Sequence, residues 1–447
     1  MACTLKAKKG GMSMKDMRFY DCRYFELSNG LRVVITPMRN ILGVTASLMV
    51  RGGTRAETLE TIGVSHAMEH MFFKGGKRYP NSLALARAIE SSGGNHNALT
   101  GKETVSFYVQ HGSFKRNLGL QALEDMIIYG KYTEEELEKE KTAIKSELRD
   151  DFDDVDKIFL RKLCKKLLFG EHPLGYFYKE NEKTIARLTV GSLMHYREQF
   201  YKANNLVISV VGNVSIDATI KDIERRFGKL EQGSVPSWQE FLPEHVPQER
   251  ALVFPRKKKK DATIVLASPA CGYSDADYYA FDILSSILGE GMGSRLFQRF
   301  RDKDGLGYSI DSYTDQYFET GFLLTMWKTD PANIERSVVA VLDEYRKFFE
   351  TGVTDEELRN MKGYLIGKSG IELKCQELSI DYGNDVALLG KPRTINEYAK
   401  GIRAVKKEDI LRIARTYLDK IKLKLGICAE EQYCGKEKFE ELLSSAS

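Results

Sequence analysis

The chain repeats itself once, and that repeat limits its fold more than any other feature. Residues Leu31–Pro37 (LRVVITP) and Thr45–Val50 (TASLMV) read as two strands joined by a short loop. Arg250–Pro255 (RALVFP) and Thr263–Ala267 (TIVLA) read the same way, and Pro37 with Pro255 and Thr45 with Thr263 share one offset of 218 residues (255 − 37 and 263 − 45). The correspondence runs on: Thr133–Leu137 (TEEEL) and Thr354–Leu358 (TDEEL) each set a Thr N-cap before acids in a first helical turn. Ile185, Leu188, Leu193, Tyr196 and Phe200 then match Ile402, Val405, Ile410, Ile413 and Tyr417, a spacing suited to a helix buried on one face. Strands follow at Leu206–Val211 and Leu423–Ile427. A unit of roughly 220 residues is far longer than a solenoid repeat, so this is a duplicated domain. The expected fold class is α+β, two duplicated domains, each a largely antiparallel sheet covered by helices. Five of the ten prolines fall between Pro236 and Pro269. The aperiodic stretch 231–249 therefore reads as a linker between a domain at 1–230 and its copy at 250–447.

Charge and composition exclude several classes. Sixty-seven Lys and Arg stand against 63 Asp and Glu, a net charge of +4, so nucleic acid is not an expected partner. The Arg256–Lys260 run (RKKKK) reads as a solvated turn in the second strand pair. No run of about 18 apolar residues exists, so no membrane partner is expected. The first 16 residues lack the apolar core of a secretory signal and read as a ragged tail. Seven cysteines are scattered without a Cys-x-x-Cys pair, which points to free thiols in a reducing compartment. The cytoplasm is the expected location, and a mitochondrial matrix fits equally.

The chemistry concentrates in Val64–Phe73 (VSHAMEHMFF). His66 and His70 stand four apart, and on a helix they share a face with Cβ atoms roughly 6 Å apart, close enough for both imidazoles to reach one metal ion. Glu69 lies beside them, placed to reach a water at the metal. A catalytic site with one open position needs a third protein ligand. Glu140 and Glu147, seven apart on the helix that begins at Thr133, share a face and supply candidates; spacing alone does not choose between them, nor does it exclude Glu136 or Glu138. At the 218 offset His66, Glu69 and His70 become Leu284, Ile287 and Leu288, so the second copy has lost the box and is suited to covering and holding substrate. The Gly-rich run Gly289–Ser294 (GEGMGS) lacks the register of a phosphate cradle and reads as a closely packed loop.

The inverted His-x-x-Glu-His box, with Asn29-Gly-Leu31, Gly93–Thr100 (GGNHNALT), Glu140–Glu147, Gly289–Leu296 (GEGMGSRL) and Gly305–Tyr308 (GLGY), resembles the pitrilysin family of inverzincin zinc peptidases. It is closest to the half-length branch that includes mitochondrial processing peptidase, and the likeness spans Phe25 to about Cys428. The resemblance implies one zinc per chain on His66, His70 and Glu147, the last because the family's third ligand stands 77 residues after the second His (147 − 70). It implies Glu140 as an assisting carboxylate, Glu69 as general base and acid, and Arg301 and Tyr308 as stabilisers of the oxyanion. Asn97 and Ala98 match a segment that binds peptide at an exposed sheet edge, and His96 beside them reads as a polar edge position. The function implied is a zinc metalloendopeptidase cleaving peptides or unfolded segments in an enclosed chamber. A homodimer is expected because both the box and the Arg-Tyr pair lie in one chain; a heterodimer with a related chain is the other arrangement. A non-catalytic core subunit is the contrasting reading, but such relatives lose parts of the box and this chain keeps every part.

Overall fold

The structure is a computed structural model that describes residues 21–177, 182–256, 260–371 and 373–445, with the side chains of 149–153 and 445 excepted. The N-terminal tail, Cys3 and Lys257–Lys259 of the basic run lie outside the described residues. Strands β1 (Arg23–Glu26), β2 (Arg32–Pro37), β3 (Gly43–Arg51), β4 (Asn95–Thr100), β5 (Thr104–Gly112) and β6 (Leu206–Gly212) form one sheet in the order β1-β2-β6-β3-β5-β4. Strands β7 (Ala251–Pro255), β8 (Ala262–Cys271), β9 (Ser309–Gln316), β10 (Thr320–Thr329) and β11 (Lys424–Ala429) form the other, in the order β7-β11-β8-β10-β9. Apart from β1 the two orders coincide. The registers coincide too: Thr45 faces Val211 as Thr263 faces Cys428, and Leu48 faces Ile208 as Leu266 faces Leu425. Only β2–β6 and β7–β11 run parallel. The duplicated α+β architecture with largely antiparallel sheets is thus present.

One expectation needs correcting. β2 and β3 are consecutive but do not pair with each other, because β6 lies between them, as β11 lies between β7 and β8. The sequence carries the reason: Leu206–Gly212 (LVISVVG) is apolar almost throughout, and all seven residues are buried, which marks a central strand covered on both faces.

Eight helices place the features that follow: α1 (Val64–Phe72), α2 (Leu118–Tyr129), α3 (Glu134–Asp153), α4 (Val155–Leu163), α5 (Ile216–Phe227), α6 (Tyr278–Gly289), α7 (Asp355–Ile371) and α8 (Cys375–Leu389). Helices α1, α2, α3 and α5 cover one face of the first sheet, packing on Val33, Ile35, Ala46, Leu48 and Val50. Helices α6 and α7 cover the matching face of the second, on Ile264, Leu266 and Leu323. The remaining faces are covered by exchange. From the second half, α8 lays Leu378, Tyr382 and Val386 on Val34, Met49, Val207 and Val211 of the first sheet. From the first half, α4 and the turn after it lay Phe159, Leu163 and Leu168 on Val265, Ala267, Phe322 and Cys428 of the second. Two glycines permit the close approach: a Cβ on Gly383 would come within 2.2 Å of the Met49 side chain, and one on Gly426 within 2.3 Å of Leu163.

The apolar series Ile185–Phe200 is buried at every matched position but is not a single helix. Helix ends at Arg187 and resumes at Val190, because Thr189 and Ser192 form a reciprocal cap: Ser192 N–H donates to Thr189 Oγ1 at 3.2 Å, and Thr189 N–H to Ser192 Oγ at 2.9 Å. The second half breaks likewise, between Ile395–Ala404 and Lys407–Tyr417.

Residues 231–249 are irregular apart from one short turn at Pro243–His245, yet they bind both halves. Arg51 stacks over Trp238 at 4.0 Å. The Arg55 side chain is fully buried; it pairs with Glu103 of the first half and Glu319 of the second, and donates to Gln239 O at 2.7 Å. Glu103 in turn accepts the Phe318 N–H. A buried guanidinium needs such complete satisfaction, since stranding one charge of a buried pair costs about 3–5 kcal/mol.

Candidate metal centre

Helix α1 begins where Gly63 takes a left-handed conformation (φ 95°) that a side chain would resist. Its first turn has no N-cap side chain. Instead the Glu57 carboxylate accepts the N–H groups of Gly63 and Ser65, both at 2.9 Å, and the Ser65 hydroxyl at 2.5 Å. Burial pushes the Glu57 carboxyl up to about 7, against the three donors that pull it down. This anchor fixes the pitch at which α1 presents its box.

The helical spacing then brings the two imidazoles together. His66 Nε2 and His70 Nε2 stand 3.2 Å apart, with ring planes at 82°. From α3, packed across α1, the Glu147 carboxylate reaches to 3.8 Å from His66 Nε2 and 3.7 Å from His70 Nε2. Bonds of about 2.0–2.2 Å in a tetrahedron separate ligand atoms by roughly 3.3–3.6 Å, so these three donors fit one small divalent ion of zinc type. Among the described residues they are the one cluster of three His, Cys, Asp or Glu side chains that converges in this way. Glu147 is half exposed, which leaves the fourth direction open.

Glu140, one face-turn earlier on α3, does not join the cluster. It bonds the far nitrogen of His70, Nδ1, at 2.9 Å, and its other oxygen pairs with Lys74. Burial pushes the Glu140 carboxyl up, but Lys74 and His70 more than offset this and hold it below the ordinary carboxylate value. A carboxylate on the outer nitrogen of a ligating imidazole sets its tautomer, aims Nε2 at the metal and raises its basicity. Glu136 and Glu138, left open by spacing, pair instead with Lys139 and Lys141.

Glu69 is 8% exposed, and burial raises its carboxyl pKa. Thr100, the last residue of β4, donates its hydroxyl to Glu69 and partly reverses that rise. Neither Lys74 nor Thr100 stood out in the sequence; the available signals were that Lys74 lies one turn after His70 and that Thr100 ends the strand carrying Asn97 and Ala98. That strand, β4, is the outer edge of the first sheet, and Ala98 pairs with Phe107 on its inner side. Ala98 N–H is capped by the Asn97 side chain at 2.9 Å. His96 rests on the Phe73 ring, 5.5 Å between centroids, and takes no part in the cluster.

Arg301 and Tyr308 are not brought to this site. Both are exposed, Tyr308 at 89%, and no described contact joins either to α1, α3 or β4; Arg301 lies over Phe297 in its own segment. In the second half Leu284, Ile287 and Leu288 of α6 are buried in the core, with Met361 packed beside them at the position matching Glu140.

Fold and cluster together define a duplicated α+β protein in which one half carries an inverted His-x-x-Glu-His metal helix. Residues 33–176 match the family model described as insulinase (peptidase family M16), and residues 187–365 match the one described as peptidase M16 inactive domain. An uncharacterized zinc protease of Bacillus subtilis is 30% identical over 395 residues, covering 88% of this chain and 94% of its own. One of Rickettsia felis is 29% identical over 402 residues, covering 89% and 95%. Among solved structures, a protease from Helicobacter pylori superposes with TM-score 0.81 at 20% identity, covering 92% of this chain and 100% of its own. A peptidase M16 inactive domain from Pseudomonas fluorescens gives 0.81 at 19%, covering 92% and 98%. The chain belongs to peptidase family M16, as a half-length pitrilysin-type member.

Proposed function

We propose that the chain is a zinc-dependent endopeptidase acting on extended peptides or unfolded segments. The convergence of His66, His70 and Glu147 at tetrahedral edge distances, with Glu69 alongside, carries this reading. Zinc in such a site supplies Lewis acidity, enough to make hydroxide available from water near neutral pH. Glu69 accepts the proton as attack on the peptide carbonyl proceeds and returns it to the leaving amine; its raised pKa suits both transfers. Thr100 holds the Glu69 carboxylate in one orientation, while Glu140 and Lys74 hold His70. The substrate adds as a strand on the free edge of β4, its carbonyl taking the Ala98 N–H now capped by Asn97.

The exposure of Arg301 and Tyr308 supports a homodimer in which a second copy brings them over the centre and closes a chamber. Among the described residues no helix is long and apolar enough to cross a membrane, and a cytoplasmic enzyme remains our reading. The test is metal analysis beside peptide-library digestion. About one zinc per chain and cleavage abolished by Glu69→Gln support the enzyme. Far less than one zinc, or cleavage unchanged in that variant, overturns it in favour of a non-catalytic subunit. A 50.8 kDa particle in solution with full activity would overturn the dimer alone.

A further inference from the structure

The largest cavity among the described residues, about 1090 Å³, lies away from the metal centre. It opens at the other end of the first sheet. Thr100 pairs with Val105, and Val105 with Val50, whereas the cavity floor is reached at Val44 and Ala46. Six residues of extended β3 therefore separate the two places, about 20 Å.

Its lining is divided by chemistry. The floor is apolar, formed by Phe25, Ala46, Leu120 and Val210, whereas the rim carries Arg23, Arg39 and Arg116. All three arginines are exposed, and none has a carboxylate within ion-pair distance among the described residues. The one acid in the lining is Asp217. Three guanidinium groups around one mouth, with a low-dielectric wall behind them, focus a positive potential into the cavity. The N-terminal turns of α2 and α5 both end on it, at Asn117 and at Ser215–Thr219, and add their partial positive charge. His111, 2% exposed, also lines the cavity; its Nδ1 is committed to Gly112 O at 3.0 Å, and burial lowers its pKa, so it adds no charge of its own.

An apolar ligand would leave the arginines idle, and a bare inorganic anion would leave the floor idle. We propose that this cavity is a second binding site, for a small amphipathic anion: a carboxylate or phosphate head at the arginine rim and an aliphatic or aromatic tail on the floor. The volume is at the upper end of ordinary ligand sites. The assignment is independent of the peptidase reading.

The test is calorimetric titration of the full chain, stripped of metal by chelator so that the head group cannot bind at the histidines. Decanoate and decyl phosphate are the probes; saturable binding of either at one site per chain is expected, and which one binds identifies the head. Decanol and inorganic phosphate should each bind at least tenfold more weakly than the better probe. The double variant Arg39→Glu/Arg116→Glu, both exposed side chains, should lose at least tenfold while keeping its melting temperature. Glu69→Gln should bind as the parent does. Absence of binding by both probes, decanol or inorganic phosphate binding as well as they do, or an unchanged double variant would each overturn the site.

Discussion

The two halves share a topology and a register but not a helix. In α1 the positions facing α3 are His66, Glu69 and His70; in α6 the equivalent positions are Leu284, Ile287 and Leu288. The apolar version is what the fold alone prefers, since each of its three side chains is no more than 3% exposed within a continuous core. The polar version forces three ionisable groups into a nearly closed space and then needs Glu140, Lys74, Thr100 and Glu57 to satisfy the neighbourhood. Supporting polar groups gathered around one helix, with none of that apparatus around its twin, separate a site from a scaffold more clearly than the box itself does.

The comparison breaks most severely at Glu69. Glu69→Gln keeps the volume and the contact with Thr100 but cannot take a proton, so peptide hydrolysis should fall by about 10²–10⁴-fold. Metal content and melting temperature should stay at parental values. Steady-state kinetics beside metal analysis read this out, and loss of metal together with activity would show that Glu69 acts on the structure of the site instead.

Next comes the asymmetry in stability. Leu288→Ala empties a fully buried position of α6 and should cost about 2–5 kcal/mol. His70→Leu, at the matching position of α1, creates the second half's own residue and removes a partly exposed imidazole. In metal-free protein its effect should stay within about 1 kcal/mol. Denaturant titration of both variants decides the matter, and equal losses would mean that the polar box is as integral to packing as its apolar twin.

A third contrast lies in how the two helices begin. Glu57 and Asp275 are 218 apart; Glu57 is 4% exposed, whereas Asp275 is exposed and accepts the Asp277 N–H at 2.8 Å. Glu57 has a folded-state pKa near 7, above its unfolded value, so its protonated form favours folding. The stability it contributes is fully present below pH 4.5 and is lost as pH rises through 7. The loss approaches roughly 3 kcal/mol if no other group compensates. Glu57→Gln should flatten the stability curve between pH 5 and 8, and Asp275→Asn should leave it unchanged.

Much of this was legible in the chain itself. The repeat, the strands and the box follow from period-two and helical spacing, and a constant offset carried each reading from one half to the other. The 77-residue spacing to Glu147 came from family likeness, and the geometry now sets that carboxylate against both imidazoles. What was hidden depends on tertiary placement. The amphipathic faces of α4 and α8 say that each must cover a sheet, not that each covers the sheet of the other half. The order β2-β6-β3 follows from which strand is buried on both faces, a property that only long-range pairing creates. Thr100 and Lys74 look like any strand end and any helix lysine until β4 and α3 fold against α1.

The smallest expected effect tests that last layer. Glu140→Gln should leave the three donors in place but weaken the hold on His70 Nδ1 and release Lys74, lowering zinc affinity about 10–100-fold. A competition titration against a chromophoric chelator measures this without reference to turnover. The second half supplies the control, because Met361 holds the matching position with no imidazole to orient, so Met361→Leu should leave zinc affinity untouched. If Glu140→Gln is equally silent, the glutamate serves helix packing as Met361 does, and the two halves differ by one layer fewer than their geometry implies.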